Sequence, residues 1–138
     1  MTWREAVADQ DKSFAHFLSS SGLSIRADLL RPVARWQSPD FFLKRYDIAY
    51  FTTALPVGQD PKLLLGKGVW GDWLNVRELL EARDTSELGD RIGQPNTVGR
   101  RLEELVTPGV MCMLESLARA QTSVAWLSKR RRIEVRKA

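Results

Sequence analysis

The sequence predicts one layered domain in which helices and strands are mixed, α/β or α+β. Three observations carry that expectation. The chain has 138 residues, one domain's length. Apolar residues recur at helical spacing in its first twenty residues and again after Thr107, and the middle holds a run of aromatic and β-branched residues. The 43% hydrophobic and 28% charged fractions sit near globular averages, which excludes disordered, collagenous and coiled-coil classes.

Near the N-terminus, Trp3, Val7, Phe14, Phe17 and Leu18 fall close to a helical repeat with Glu5, Asp9, Asp11 and Lys12 between them. They predict an amphipathic helix over residues 3–20 with a break near Gln10–Asp11, ended by Ser19-Ser20-Ser21-Gly22. Leu29 to Trp36, with Pro32 early in the run, reads as an edge strand or the start of one. Ser38-Pro39-Asp40 is a turn. Residues 45–55 have no polar face and predict a strand in the middle of a sheet with a layer on either side. Pro56 to Pro61 is an exposed loop, and Leu63–Leu65 and Val69–Trp73 are short strand candidates separated by Gly66-Lys67-Gly68.

Three helix starts follow. Asn75 with Glu78 three residues on has the capping-box pattern ahead of Leu79 and Leu80. Asn96 or Thr97 caps a segment with Val98, Leu102, Leu105 and Val106 on one face. Thr107 and Pro108 form an N-cap with Pro at the first helical position, and Val110, Met113, Leu114, Leu117 and Ala118 continue the stripe in a helix expected to reach about Leu127.

The net charge of +4 is unevenly spread. Six cations, Lys129, Arg130, Arg131, Arg132, Arg136 and Lys137, against Glu134 put +5 into the last ten residues and leave the first 128 at −1. A nearly neutral body thus carries a basic segment over residues 129–138. No stretch approaches the roughly 20 apolar residues of a membrane helix, and the mixed-charge N-terminus has no apolar core behind it, so neither a membrane partner nor a signal peptide is expected. The single Cys112 excludes an intrachain disulfide and a multi-thiolate metal site, and the single His16 excludes a two-His motif. The expected compartment is reducing, the cytoplasm.

Little in the chain looks catalytic. Cys112 lies between Met111 and Met113 in an amphipathic helix and reads as a core or boundary thiol rather than as a partner for His16. Glu103-Glu104 after Arg100-Arg101 is the one tight acidic pair, but adjacent helix residues point about 100° apart, and Gly99 and Arg100 stand where further acids would be needed. A solvated face is the reading there, and no metal ligand is assigned. Gly66-Lys67-Gly68 lacks the spacing of a phosphate loop and reads as a turn. Lys129, Arg130, Arg131 and Arg132 could neutralise phosphates of a nucleic acid. Ile133 and Val135 alternate with Arg132, Glu134 and Arg136, however, which equally suits a final edge strand laid against the body.

One stretch narrows the field. Arg35-Trp36-Gln37-Ser38-Pro39, then Arg45-Tyr46-Asp47-Ile48-Ala49-Tyr50-Phe51-Thr52-Thr53-Ala54-Leu55-Pro56 and Gly58-Gln59, resembles the later half of a Nudix hydrolase domain, in the coenzyme A diphosphatase-like branch. Trp73 with Leu79-Leu80 resembles that branch's next strand and helix. Leu105-Val106-Thr107-Pro108 resembles its Pro-marked final helix, and Arg131-Arg132-Ile133-Glu134-Val135 its closing strand. Residues 1–22 fit a helical insertion that follows the catalytic helix. The resemblance implies an α+β fold, an incomplete Nudix-type α/β/α sandwich with a mixed sheet, formed as a single partial domain over residues 1–138.

The defining box, G-x5-E-x7-R-E-U-x-E-E-x-G-U with U aliphatic, is absent from the sequence. Its glutamates hold Mg²⁺ or Mn²⁺ against a diphosphate, neutralising the phosphates and activating water. Arg100-Arg101-Leu102-Glu103-Glu104 is the nearest imitation; it lacks the Glu after Arg, misplaces the acidic pair by one residue and has no Gly at the required offset. The box is expected just upstream of Trp3, so no catalytic residue carries over, and Mg or Mn is expected only if a box is supplied.

The resemblance therefore implies a diphosphatase-like domain that is inactive alone or completed by another chain. Its truncated sheet should expose an edge and an apolar face and lead to self-association or a partner chain. The alternative is a binding module, for nucleic acid through the tail or for a nucleotide-like ligand. For the latter, Arg35, Trp36, Arg45 and Asp47 are the candidate residues, with Trp36 as a stacking surface and the arginines as phosphate contacts. Core packing is the competing reading of Trp36. Arg45 and Asp47, two apart on a strand, share a face and can pair there. An enzyme with a site of its own ranks behind both.

Overall fold

The computed structural model describes residues 2–119 and the backbone of Val135–Lys137. The chain begins with two short helices, α1 (Trp3–Ala8) and α2 (Phe14–Ser21). Thr2 caps α1 in a box with Glu5, and Ser13 caps α2 by accepting from the His16 N–H. The expected break is real: Gln10 has a positive φ of 62°, which no helix interior accommodates. Trp3 stands 5.7 Å from the His16 ring and 5.4 Å from Phe17, so aromatic contact holds the two helices together.

A 3-10 turn (Ala27–Leu29) leads into β1 (Arg31–Gln37), which pairs antiparallel with β2 (Asp47–Thr52). A third strand, β3 (Val135–Lys137), pairs parallel with Arg35–Gln37 of β1, giving a mixed sheet in the order β2-β1-β3. The fold is thus mixed α+β. Two expectations about the strands change. β1 is not an edge strand along its length: among the described residues it is flanked on one side only over Arg31–Ala34, where Pro32 has no N–H to donate, and it is central over Arg35–Gln37. β2 is shorter than residues 45–55 and alternates exposed with half-buried residues, so it shows one face to solvent, and among the described strands it stands at the sheet's edge. Its Ala49 and Phe51 are the apolar residues that made the sequence look two-sided.

The register shifts between Pro32 and Ala34, where Val33 is the extra residue of a bulge. The bulge explains why neighbours Val33 and Ala34 are both buried although side chains of a regular strand alternate.

The residues of 63–65 and 69–73 form no strand; Gly66, at φ 76°, turns the chain instead. Beyond them come α3 (Val76–Glu81), α4 (Glu87–Ile92), α5 (Leu102–Leu105) and α6 (Pro108–Ala118). Asn75 caps α3 by accepting from the Arg77 and Glu78 N–H groups, and Thr107 caps α6 by accepting from Val110 N–H, both at the expected positions. The expected helix from Asn96 or Thr97 is instead a tight turn. The Thr97 hydroxyl donates to the Gly89 carbonyl at 3.0 Å, and Gly99, at φ 77°, donates its N–H to Asp90 at 2.7 Å. Val98 is exposed as a result, and only Leu102–Leu105 is helical. The reach of the last helix towards Leu127 lies outside the described residues.

α6 packs across β1. Val33, Ala34, Trp36 and Cys112 form the core between them, with Ile48, Tyr50, Met113 and Leu117 half-buried against it. No large side chain among the described residues is completely buried, and no helix there is long and apolar enough to cross a membrane.

Candidate functional site

The outer face of the sheet, opposite α6, holds the polar candidates. Arg35 and Gln37, two apart on β1, project to the side away from buried Trp36, and the register sets Gln37 opposite Asp47. The Arg35 guanidinium donates from Nε to Asp47 Oδ1 at 2.7 Å and from Nη2 to Oδ2, a bidentate pair. Gln37 Nε2 donates to Asp47 Oδ2 at 3.0 Å. These contacts with Arg35 first, and Gln37 second, pull the Asp47 carboxyl down to about 2, and Asp47 in turn raises the Arg35 guanidinium.

The expected pairing of Arg45 with Asp47 does not occur. The strand starts at Asp47, so Arg45 belongs to the connecting loop, where it donates to Asp40 Oδ1 at 3.2 Å and to the Asp40 carbonyl at 3.0 Å. That loop closes through Ser38 and Tyr46. The Ser38 N–H donates to the Tyr46 carbonyl at 2.9 Å, and the Tyr46 N–H donates to Ser38 Oγ at 2.7 Å. Its tip is apolar and open, with Phe41 82% and Leu43 107% exposed.

Trp36 is only 7% exposed and lies in the core, where no ligand can stack on it without moving α6. The four residues expected to act together are therefore divided: Arg35 and Asp47 on the outer face, Arg45 in the loop, Trp36 inside. Gln37 is the member that sequence reasoning missed; its spacing of two from Arg35 was the available signal. An Arg already held by a carboxylate makes a neutral clasp, not a phosphate cradle, because an incoming phosphate must displace Asp47. Lys129, Arg130, Arg131 and Arg132 lie outside the described residues.

Among the described residues the sheet also has an open edge, at β2. Since Ser38 and Tyr46 bond through their main chains, alternation turns the main-chain groups of Ile48 and Tyr50 towards β1 and those of Asp47, Ala49 and Phe51 away from it. No described strand pairs with that side. Ile48 to Thr52 contains no charge, proline or glycine of the kind that guards solvent-facing edges.

The residues nearest in pattern to a Nudix metal site do not fit one. Glu104 accepts from the Arg101 N–H at 2.9 Å and from Arg100 at 3.0 Å, which together lower its carboxyl, and Glu103 pairs with Arg101 at 2.7 Å. Leu102 between them is buried. Both carboxylates serve the start of α5, and among the described residues no three of His, Cys, Asp and Glu converge as a metal site would require. His16 packs against Trp3 and approaches Ser20 Oγ at 3.4 Å, while Cys112 is buried between α6 and the sheet.

The chain matches no protein-family model, no curated protein and no solved structure.

Proposed function

We propose that this chain is a Nudix hydrolase-like scaffold, related to the metal-dependent diphosphatases of nucleotide or coenzyme A derivatives, which lacks the metal-binding box. It has no diphosphatase activity of its own and needs further polypeptide to complete it, by self-association or from a partner chain. The observation that carries this reading is a sheet half-covered by the described residues: α6 lies on one face of β1 and meets Tyr50 of β2, while Phe51 on the other face is 52% exposed beside an edge to which no described strand adds. A two-layer arrangement with an open face is what remains of a three-layer sandwich when one layer is missing.

Several details agree with that assignment. The Trp36 to Pro39 segment forms the end of β1 and its turn, and Asp47 opens β2. Thr107-Pro108 starts the helix that packs on the sheet, and Val135 enters the sheet beside β1. The last point favours a closing strand over a nucleic-acid-binding tail. The Arg100 to Glu104 segment offers no substitute for the box, so no hydrolytic step is assigned to these residues.

Incubating the purified chain with Mg²⁺ or Mn²⁺ and coenzyme A or ADP-ribose tests the first half, with no phosphate-bearing product expected. Metal-dependent cleavage by the chain alone overturns it. Light scattering and thermal melting test the second half. Assembly above the 15.7 kDa monomer is expected, and a strictly monomeric, cooperatively melting protein rules out an incomplete sheet.

A further inference from the structure

A second site lies away from the sheet's outer face, between α3 and α4. Glu78 and Leu79 of α3 share one face with its caps Asn75 and Ala82, at helical spacings of three, four and seven from Asn75. That face looks across a cavity of about 140 Å³ at Glu87 and Leu88 of α4. Leu102 supplies the floor and is 2% exposed, the most buried apolar side chain of the core; Trp73 supplies one wall and is itself 71% exposed. The volume is close to the roughly 150 Å³ of an apolar cavity that accepts benzene.

The charge around the opening is one-sided. Arg91 reaches the cavity, but it is bonded to Asp72 and leans over the Trp70 ring at 6.0 Å, so its charge is already compensated. Asn75 spends its side-chain oxygen on the α3 N-terminus. Glu78 donates its main-chain N–H to its cap Asn75 and Glu87 donates its own to the Thr85 hydroxyl, while their carboxylates meet no cation among the described residues. An apolar floor, an exposed indole wall and two carboxylates without a described cation partner together select a flat or short apolar body with a positive end.

We propose that this cavity binds a compact organic cation, an amidinium, guanidinium or ammonium carried on an aromatic or short aliphatic stem. The stem rests on Leu79, Leu88 and Leu102, Trp73 offers its face to the cation, and Glu78 and Glu87 accept its hydrogen bonds. The site is independent of the diphosphatase reading and opposite to it in charge: a nucleotide phosphate is repelled here.

The test is titration of the ¹⁵N-labelled full chain with benzamidine, and separately with benzamide, its neutral analogue of nearly the same shape. Benzamidine should move the Trp73 indole N–H and the amides of Leu79 and Leu88 saturably, and benzamide should bind more weakly. In the doubly substituted Glu78→Gln, Glu87→Gln chain, benzamidine affinity should fall roughly fivefold to tenfold while benzamide is unaffected, as expected for two exposed ion pairs. Both glutamates are exposed, so the variant keeps the fold. An N-acetyl-arginine-amide arm identifies the source: the same shifts at higher affinity than benzamidine assign the cation to an arginine side chain of a partner, and the reverse order to a free small amine or amidine. Equal binding of benzamidine and benzamide, or shifts that avoid Trp73, Leu79 and Leu88, overturns the proposal.

Discussion

Tyr50 of β2 touches the first turn of α6 where Gly109 has no side chain. A Cβ at Gly109 would stand 3.2 Å from Tyr50 Cζ and closer than 3.0 Å to the hydroxyl oxygen, a distance that real Cβ atoms do not show. The close approach lets α6 seat Cys112 and Leu114 as buried residues, with Cys112 against Trp36 and Ala34.

Gly109→Ala should therefore destabilise the chain. Alanine improves helix propensity by up to about 1 kcal/mol, but overpacking costs roughly 1–3 kcal/mol, so a net loss of about 1 kcal/mol is expected in urea denaturation. Adding Tyr50→Phe removes the colliding oxygen and should recover part of the loss. A double variant no better than Gly109→Ala alone would place the strain elsewhere.

The Arg35–Asp47–Gln37 cluster makes stability depend on pH in a stated direction. Asp47 is held at about 2 in the folded chain by Arg35 first and Gln37 second, while the unfolded chain titrates near the ordinary value of about 3.9. A depressed folded value means that the unfolded state takes up the proton first. The contribution is therefore complete above about pH 4 and is lost as pH falls towards 2. Asp47→Asn should flatten the acid limb of the stability curve in that window and change little at pH 7 beyond a constant offset. A ¹³C titration of the Asp47 carboxyl reads the value directly, and a midpoint near 3.9 would contradict the clasp.

Local elements were legible in the sequence where one residue carries its own physics. The Asn75 and Thr107 caps, Pro108 at the first position of α6 and the break before Asp11 each follow from backbone groups that need a partner or a φ that helices exclude. What depends on distant residues was not legible. Whether Asp47 meets Arg45 or Arg35 turns on where β2 begins and on the register across the Ser38–Tyr46 closure, neither of which the spacing of two encodes. α4 was missed because Leu88 and Ile92 alone make no stripe and Gly89 sits in its middle. Of the cluster on the outer face, Arg35 and Asp47 were found from the sequence but Gln37 was not, and Trp36 is core because helix α6 covers it.

Gly89 is in α4 for a tertiary reason, and its replacement should be costly. A Cβ there would lie 2.7 Å from the Arg100 carbonyl oxygen and nearer still to that of Thr97. Unlike a phenol oxygen, these acceptors are main chain, and Thr97 is fixed by its hydroxyl bonds to the Gly89 and Gln94 carbonyls. Gly89→Ala should destabilise by about 3 kcal/mol, the upper part of the overpacking range. It should also speed hydrogen exchange at Gly99, whose N–H depends on Asp90 in the same turn. Unchanged exchange at Gly99 would show that α4 and the turn shift together without strain.

The open face of the sheet makes the last prediction. Phe51 is already half out of the fold, so replacing it removes little from the core. On the proposed reading, its worth lies in what covers it, together with Ala49, when another chain adds to the β2 edge. Phe51→Lys places a cation on that face and beside the main-chain groups of Asp47, Ala49 and Phe51, to which no described strand bonds, the device by which exposed edges are normally kept apart. Light scattering should then report a mass falling towards 15.7 kDa, with a melting temperature within a few degrees of the parent's, since surface substitutions typically change stability by about 0.5 kcal/mol or less. A mass that stays high after Phe51→Lys would mean that association uses another surface, of which the exposed Phe41 and Leu43 tip of the β1–β2 loop is the next to change.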